Sequence, residues 1–540
     1  MSLIKIIAFN GMTPRTDARL LESNMAQSSV NAKLQNGTLR PYRAPSQIAI
    51  LEKTGTIKSL YRFGQDVVGD SNYWFHWNVD VNVVRGPIAG DTAERTYWTG
   101  DGIPKMTTNA IALTGGTNYP MNSYTLGIPS PADAPIVEAT GIGEGVAESR
   151  VYIYTYVSSL GEEGPPSDPS NSVAVKVGQA VDIAGMSVAP SGSYDITTKR
   201  IYRSVTGSGG TDYLYVTEVP VAYTTFTDSV LAASLGEVIP SKSWLAPPTG
   251  LQGLTMMANG IMAGFIGKDI YFSEPYAPHA WPVEYVLTVD YPIVGIGAFG
   301  SSLFVGTTGN PYILNGVDPA GMTMTKGEFQ QACVSKRSIV EMGGGVMYAS
   351  PDGIIAVDGS GINLVTRAMM TKDDWQAYVP SSIHASHVDG RYFAFFNTGS
   401  RTGSVVLDLT GDSAALWESD QYCSALYNDI RADALYMVTG SNVKKWDGDT
   451  TNLNYSWKSK IFVLPRPENL AVGQVFASSY PVTFKAYANG VLKHTQTVAN
   501  DSPFKLPSGF KAKEWEIETS GSNPINAIYL ASSVLDLKQA

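Results

Sequence analysis

The stretch GGGVMYASPDGIIAVDG, Gly343 to Gly359, constrains this chain more than any other, because it spells out a complete β-hairpin that recurs elsewhere in altered form. Val346-Met347-Tyr348-Ala349 reads as one strand and Ile354-Ile355-Ala356-Val357 as its return. Between them Pro351 fixes φ at the start of the turn and Gly353 tolerates a positive φ at its end, so the reversal is written into the residue types. A second turn follows at Asp358-Gly359.

The same grammar pairs Leu303-Phe304-Val305 with Tyr312-Ile313-Leu314, Tyr392 to Phe395 with Val405-Val406-Leu407, and Leu435-Tyr436-Met437 with Val443 to Trp446. An earlier copy runs from Ile261-Met262-Ala263 to Ile270-Tyr271-Phe272. Aligning the leading strands brings Met262, Phe304, Met347, Phe393 and Tyr436 into register at steps of 42 to 46 residues. That is the period of a four-stranded propeller blade. The competing explanation is chance spacing of hairpins in an ordinary β-sandwich. The regularity of the step favours the propeller.

With 540 residues the chain is long enough for several domains and a large core. Hydrophobic residues make up 44% and charged residues 16%, so much of the polar surface must come from Ser, Thr, Asn and Gln. That balance suits an all-β protein with extensive flat contact surfaces. The formal net charge of −10 argues against a protein that clamps phosphates or reads DNA sequence, which needs a concentrated basic face. It leaves room for a duplex sliding past a repelling wall. Cys333 and Cys423 are the only cysteines. No disulfide framework supports the fold; the two could pair with each other, but two buried free thiols in a protein made in a reducing cytoplasm are expected. MSLIKIIAFNG is too short and too soon interrupted for a signal peptide, and no run of 18 apolar residues occurs, so no secretion signal or membrane anchor is expected.

In chain order, residues 1–48 read as an extended arm: a short apolar strand from Leu3 to Phe9, one or two helical turns within Asp17 to Ala32, and an Asn36-Gly37 turn before Thr38-Leu39-Arg40-Pro41. Residues 49–127 read as the first part of the propeller, with Tyr73 to Trp77 and Thr96 to Thr99 as aromatic strands. Such rings can form a sugar-binding platform, although closing a blade or a subunit contact is the commoner use. A Pro-rich boundary at Ile128-Pro129-Ser130-Pro131 opens an insert over 128–248, where Arg150 to Val157 alternates at period two like a half-buried strand. Lys199 to Arg203 and Tyr213 to Val216 supply further strands, and the pattern is that of a β-sandwich. The remaining blades occupy 249–450, for about six in all. Residues 451–540 lose the period and read as a small C-terminal β domain with a hairpin turn at Asn489-Gly490.

Within the arm, Asp17, Arg19, Leu20 and Leu21, followed by Ser29, Val30, Asn31, Leu34, Asn36, Gly37, Leu39, Arg40 and Pro41, form the pattern D-x-R-L-L … S-V-N-x-x-L-x-N-G-x-L-R-P. This pattern resembles the N-terminal region of nozzle or tail-hub (tail tubular) proteins of short-tailed bacteriophages. The insert, through Tyr152 to Ser167, resembles a fibronectin type III-like module. The first resemblance implies a structural virion protein of the tail that assembles as a homo-oligomeric ring, a hexamer. It would dock portal-adaptor proteins and tail fibre or needle proteins and let genomic DNA pass through its lumen without sequence-specific binding. The alternative is a propeller that binds surface glycans or depolymerises them.

Motifs with chemical potential read as structural. Gly295-Ile296-Gly297-Ala298-Phe299-Gly300 matches G-x-G-x-x-G, but a strand follows at Ser301 to Gly306 where a dinucleotide site needs a helix. His384 and His387, with Asp389 nearby, have a spacing that suits loop residues better than a metal site. Ser350-Pro351-Asp352-Gly353 partly resembles the Asp-box of sialidase-like propellers but lacks the Thr-Trp that follows it there. Asp373-Asp374 and Glu162-Glu163 read as solvated loops, not as a glycosidase pair. Lys336-Arg337 and Lys444-Lys445 are too few for a nucleic-acid site. Met256-Met257 and Met369-Met370 are core filling or an adaptable surface. No catalytic, metal-binding or cofactor-binding residue is assigned, and neither an enzyme activity nor a cofactor is expected.

Overall fold

The computed structural model describes residues 3–34, 36–64, 73–207, 210–410 and 414–538. Within them the protein is all-β; the α-helices are three pieces of four or five residues.

Seven of its sheets follow one plan, an antiparallel meander in chain order, and are numbered I to VII here. Sheet I has two strands, Ser59–Arg62 and Trp74–Trp77. Sheet II starts at Asn82–Arg85, III at Gln252–Met256, IV at Ile293–Phe299, V at Val340–Glu341, VI at His384–Val388 and VII at Ala425–Asp429. The leading strands touch in sequence: II against III, III against IV, IV against V, V against VI, VI against VII, and VII against I. Sheets I and II are joined by a shared core of Phe63, Phe75, Trp77, Val81 and Trp98. The fourth strand of VII comes from the other end of the repeat region. Ser46–Ile50 pairs with Asn442–Lys445, Ile50 opposite Asn442.

Met262, Phe304, Met347, Phe393 and Tyr436 all lie in the second strand of their sheets, III to VII, and all are at most 5% exposed. The period is therefore real in three dimensions, although the hairpins that reveal it are strands two and three. Each leading strand escapes detection because it is short or rich in glycine and polar residues, as in Val340–Glu341 and Ile293–Phe299. The aromatic segment read as one unit is divided between sheets I and II, and its rings, Trp74, Trp77, Tyr97 and Trp98, are buried against one another and their neighbours. They form no exposed sugar platform.

The arm is not extended, and Asp17 to Ala32 contains no helix. Leu3–Ile6 pairs with Ile525–Ala531, and Ala26–Val30 is the hinge strand of a ten-stranded sheet. It lies parallel to Ala415–Ser419, the last strand of VI, and antiparallel to Tyr455–Ser459 of the C-terminal part. Ala32–Lys33 then turns back on Arg40–Pro41, with Gly37 at φ 77 where a side chain would strain the backbone. Val472–Ala477, Phe504–Lys505 and Ile525–Ala531 form a second sheet with Leu3–Ile6, whereas Tyr455–Ser459 and the strands beyond it are hydrogen-bonded into one sheet with VI. Neighbouring strands there include Ala512–Gly521 and Val482–Ala488, the latter turning at Asn489-Gly490 as expected.

In the insert, Tyr152–Val157 pairs with Thr198–Gly207, which pairs with Gly210–Pro220. Its alternation does not separate core from water. All six residues are buried, because Tyr152, Tyr154 and Tyr156 enter the insert core while Ile153 packs with Tyr202 and Ile239 on the other face.

Candidate functional site

The leading strands of sheets II to VII line a cavity of about 780 Å³. Asn82 to Arg85 line it from sheet II, Leu254 to Met256 from III, Ile296 to Phe299 from IV, Glu341 from V, Ser386 and His387 from VI, and Asn428 from VII. Gly300, Gly343 and Ile430, which lie past the ends of those strands, also line it, and Ile430 is exposed.

The opposite end is tied across. Arg337 lies just before the leading strand of V, and its Nη2 donates to the carbonyl of Lys58 at 2.9 Å and of Ser424 at 2.8 Å. Those residues immediately precede the leading strands of I and VII. Beside it Lys336 pairs with Asp80, which precedes sheet II, at 3.3 Å. The basic pair that looked too small for a nucleic-acid site is a tie across the ring of sheets.

Polar groups inside the cavity are engaged between sheets. Glu341 Oε1 accepts from the Ala298 N–H at 2.8 Å and the Thr255 hydroxyl at 3.1 Å, which joins V to IV and III. Glu341 is exposed, yet protein surrounds its carboxyl closely enough that desolvation holds it above the ordinary range, with both hydrogen bonds pulling the other way. Asn428 Nδ2 lies 3.0 Å from His387 Nε2, joining VII to VI, and burial holds that imidazole below its usual value. Arg62 and Asp429 pair at 2.6 Å between I and VII. Gly295 and Gly297 serve the same packing. A Cβ on either would come within 2.7 to 3.0 Å of Ile339, so the glycines let sheets IV and V approach. The letters of a dinucleotide motif here lie in a strand, Ile293–Phe299.

Other candidate groups are drawn into structure as well. His384 and His387 lie on the strand His384–Val388, not in a loop. His384 is buried beside Cys423, Nε2 to Sγ 3.6 Å, with its pKa lowered to about 3 by desolvation. Asp389 pairs with Arg391 at 2.7 Å. Among the described residues no group of three His, Cys, Asp or Glu side chains could hold a metal. Cys333 and Cys423 are both free and buried.

The Ser350–Gly353 turn does have a Thr and a Trp to lock it, from further along the chain. Trp375 donates its indole N–H to the Ser350 carbonyl at 2.8 Å, and the Thr366 hydroxyl accepts from the Ile354 N–H at 3.1 Å. Asp352 pairs with Lys372 at 2.8 Å. Asp373 and Asp374 belong to the first turn of the helix Lys372–Gln376, where Asp374 completes a capping box with Thr371. Met257, Met369 and Met370 are buried, and Met256 faces the cavity.

Glu162 and Glu163 depart furthest from expectation, being buried rather than solvated. Glu162 accepts from Arg95 Nη1 at 3.0 Å, and Arg95 also holds Asp91 at 2.8 Å, so an ion pair ties the insert to sheet II. Burial still raises the Glu162 carboxyl, with Arg95 opposing the rise. Glu163 meets Arg200, Tyr202 and Thr155 inside the insert. Nothing local marks either residue, because their partners lie up to 67 residues away.

No protein-family model matches the chain, and no curated protein matches it. Among solved structures it is similar to the AfRom2 CNH domain at 8% identity, covering 58% of this chain and 93% of that one, with a TM-score of 0.25. It is also similar to the extracellular domain of the putative hybrid two component system BT4673 from B. thetaiotaomicron, at 10% identity, 91% and 60% coverage and a TM-score of 0.24. A third is PorZ of Porphyromonas gingivalis, a surface component of the type-IX secretion system, at 12% identity, 80% and 62% coverage and a TM-score of 0.24. The chain thus spans about three fifths of the latter two. Scores this low carry no argument about fold or role.

Proposed function

We propose that the seven sheets are blades of one β-propeller, closed by Ser46–Ile50 in the last blade, carrying an inserted β-sandwich and a C-terminal β domain. The order of leading-strand contacts from II round to I, the core shared by I and II, and the cavity support this reading.

We further propose that the chain is a structural virion protein, the nozzle or tail-hub subunit of a short-tailed phage, working as a homo-oligomeric, hexameric ring. In this reading it docks portal-adaptor proteins and fibres or needle, and retains and then releases a genome that passes without sequence-specific contact. Its role is mechanical rather than enzymatic, and its place is the tail of the virion after synthesis in the bacterial cytoplasm. The observation that carries it is the arm motif. Its residues lie where repeat sheet VI, the arm and the C-terminal part are joined: Asn31 accepts from the Ser419 hydroxyl at 2.8 Å and donates to the Asn454 carbonyl at 3.0 Å, and Leu39 is fully buried. A subunit that transmits load between neighbours needs its domains fused in this way.

The purified chain tests this directly. Self-association or capture into a larger ring, with no cleavage or binding of capsular polysaccharide, is expected. A protein that stays monomeric at high concentration and binds or cleaves such glycans is the propeller lectin or depolymerase instead.

A further inference from the structure

We infer that the junction between the arm and the C-terminal part contains a docking pocket for an acidic segment of a protein partner. This inference stands whether or not the ring reading holds.

The pocket has a volume of about 530 Å³ and is built from Lys33, Arg40, Arg43, Asp447, Asn452 and neighbouring residues. Three cations therefore face one carboxylate, and that carboxylate is fully engaged. Asp447 Oδ2 holds Lys33 at 3.0 Å, and Oδ1 accepts the Arg43 N–H at 2.6 Å. The nearby Asp449 is turned into its own loop, accepting from the N–H groups of Thr450 and Thr451.

Neither guanidinium is neutralised. Arg40 donates only Nε, to the Thr38 hydroxyl at 2.9 Å, and the Arg43 side chain bonds no described residue. Both are exposed, yet both stand on a fixed backbone. Leu39 exchanges two main-chain bonds with Ile525, and Tyr42 accepts from Leu453 at 2.8 Å, with Leu39 and Tyr42 turned inward at 0% and 2% exposure. A chain with 48 acidic and 38 basic residues leaves two forked donors without an internal carboxylate. Forked guanidinium groups match carboxylates two hydrogen bonds at a time. A nucleic-acid backbone would need a longer basic track than three side chains in a chain of net charge −10.

The test uses the full-length protein and a fluorescent peptide of about ten Asp and Glu residues, read by anisotropy at low and raised salt, beside a neutral peptide and an oligothymidylate of equal length. The acidic peptide is expected to bind best, to weaken with salt, and to weaken about tenfold or more in R40A/R43A, with R40K/R43K between the two. Both heads are exposed, so the melting temperature of R40A/R43A should match the parent. If that pair does not fold, R43A alone carries the test, because its side chain holds nothing in place. Unchanged peptide affinity in the variant, absence of peptide binding, or tighter binding of the oligothymidylate each overturns the inference.

Discussion

Arg337 donates from Nη2 to the main-chain carbonyl of Lys58 at 2.9 Å, across 279 residues of sequence. The same nitrogen reaches Ser424, so one side chain links the approach to sheet V with those to sheets I and VII. A charged donor holding two carbonyls is worth about 1.5–3 kcal/mol, and its removal leaves both acceptors to water. R337A should lower unfolding free energy by about that amount in a denaturant titration, while R337K, with a shorter and unforked head, should recover only part. An R337A protein as stable as the parent would mean the tie does not hold the ring of sheets.

The Arg95–Glu162 pair fixes the insert to sheet II in a buried setting. R95A would strand the carboxylate, a loss of about 3–5 kcal/mol for a buried ion pair. E162Q, which removes the charge and keeps an acceptor, should cost clearly less. A double-mutant cycle measures the coupling, and hydrogen exchange at residues 158–164 should rise in R95A before exchange rises elsewhere.

Acid should destabilise the protein before its carboxylates protonate. Burial holds His76 and His279 at about 4, against an ordinary value near 6.5. Their folded pKa values are depressed, so the stability they contribute is complete above about pH 6.5 and is lost as pH falls toward 4. Each histidine adds up to about 1.4 kcal/mol per pH unit to that slope. Glu162, raised by burial, works in the opposite direction and gains stability as pH falls. H279F, which keeps a ring against Trp244, should flatten the profile between pH 6.5 and 4; an unchanged slope would exclude His279 as a source.

Asn31 has φ 55 and uses its side chain to join three segments, through Ser419, Asp420 and Asn454. N31A loses these bonds and keeps the strained backbone, so a loss of about 2–4 kcal/mol is expected in thermal or chemical unfolding. N31G relieves the strain and should be the milder change, which separates backbone from hydrogen bonding.

How much of this was legible depends on how local the cause is. The turn residues at Ser350 to Gly353 and the buried second-strand residues Met262 to Tyr436 carry their own signal, so the period could be read directly. The leading strands could not, because Val340–Glu341 has only two residues and Ile293–Phe299 contains glycines that serve packing between sheets. Ala26–Val30, with sequence AQSSV, has no strand pattern of its own and is held between two strands from distant parts of the chain. For the same reason Glu162 looked like a solvated loop residue, and Arg337 like half of a basic pair too small to matter. A buried ion pair is recognisable only with both partners in view.

Cryo-electron microscopy of a short-tailed phage virion is the most direct test of the proposed assembly. A ring of copies of this chain about the tail axis, six in number, with axis-facing surfaces poor in Lys and Arg, is the predicted result. A tail that lacks the chain, or one in which it lines the lumen with a basic wall that would hold DNA, would contradict it.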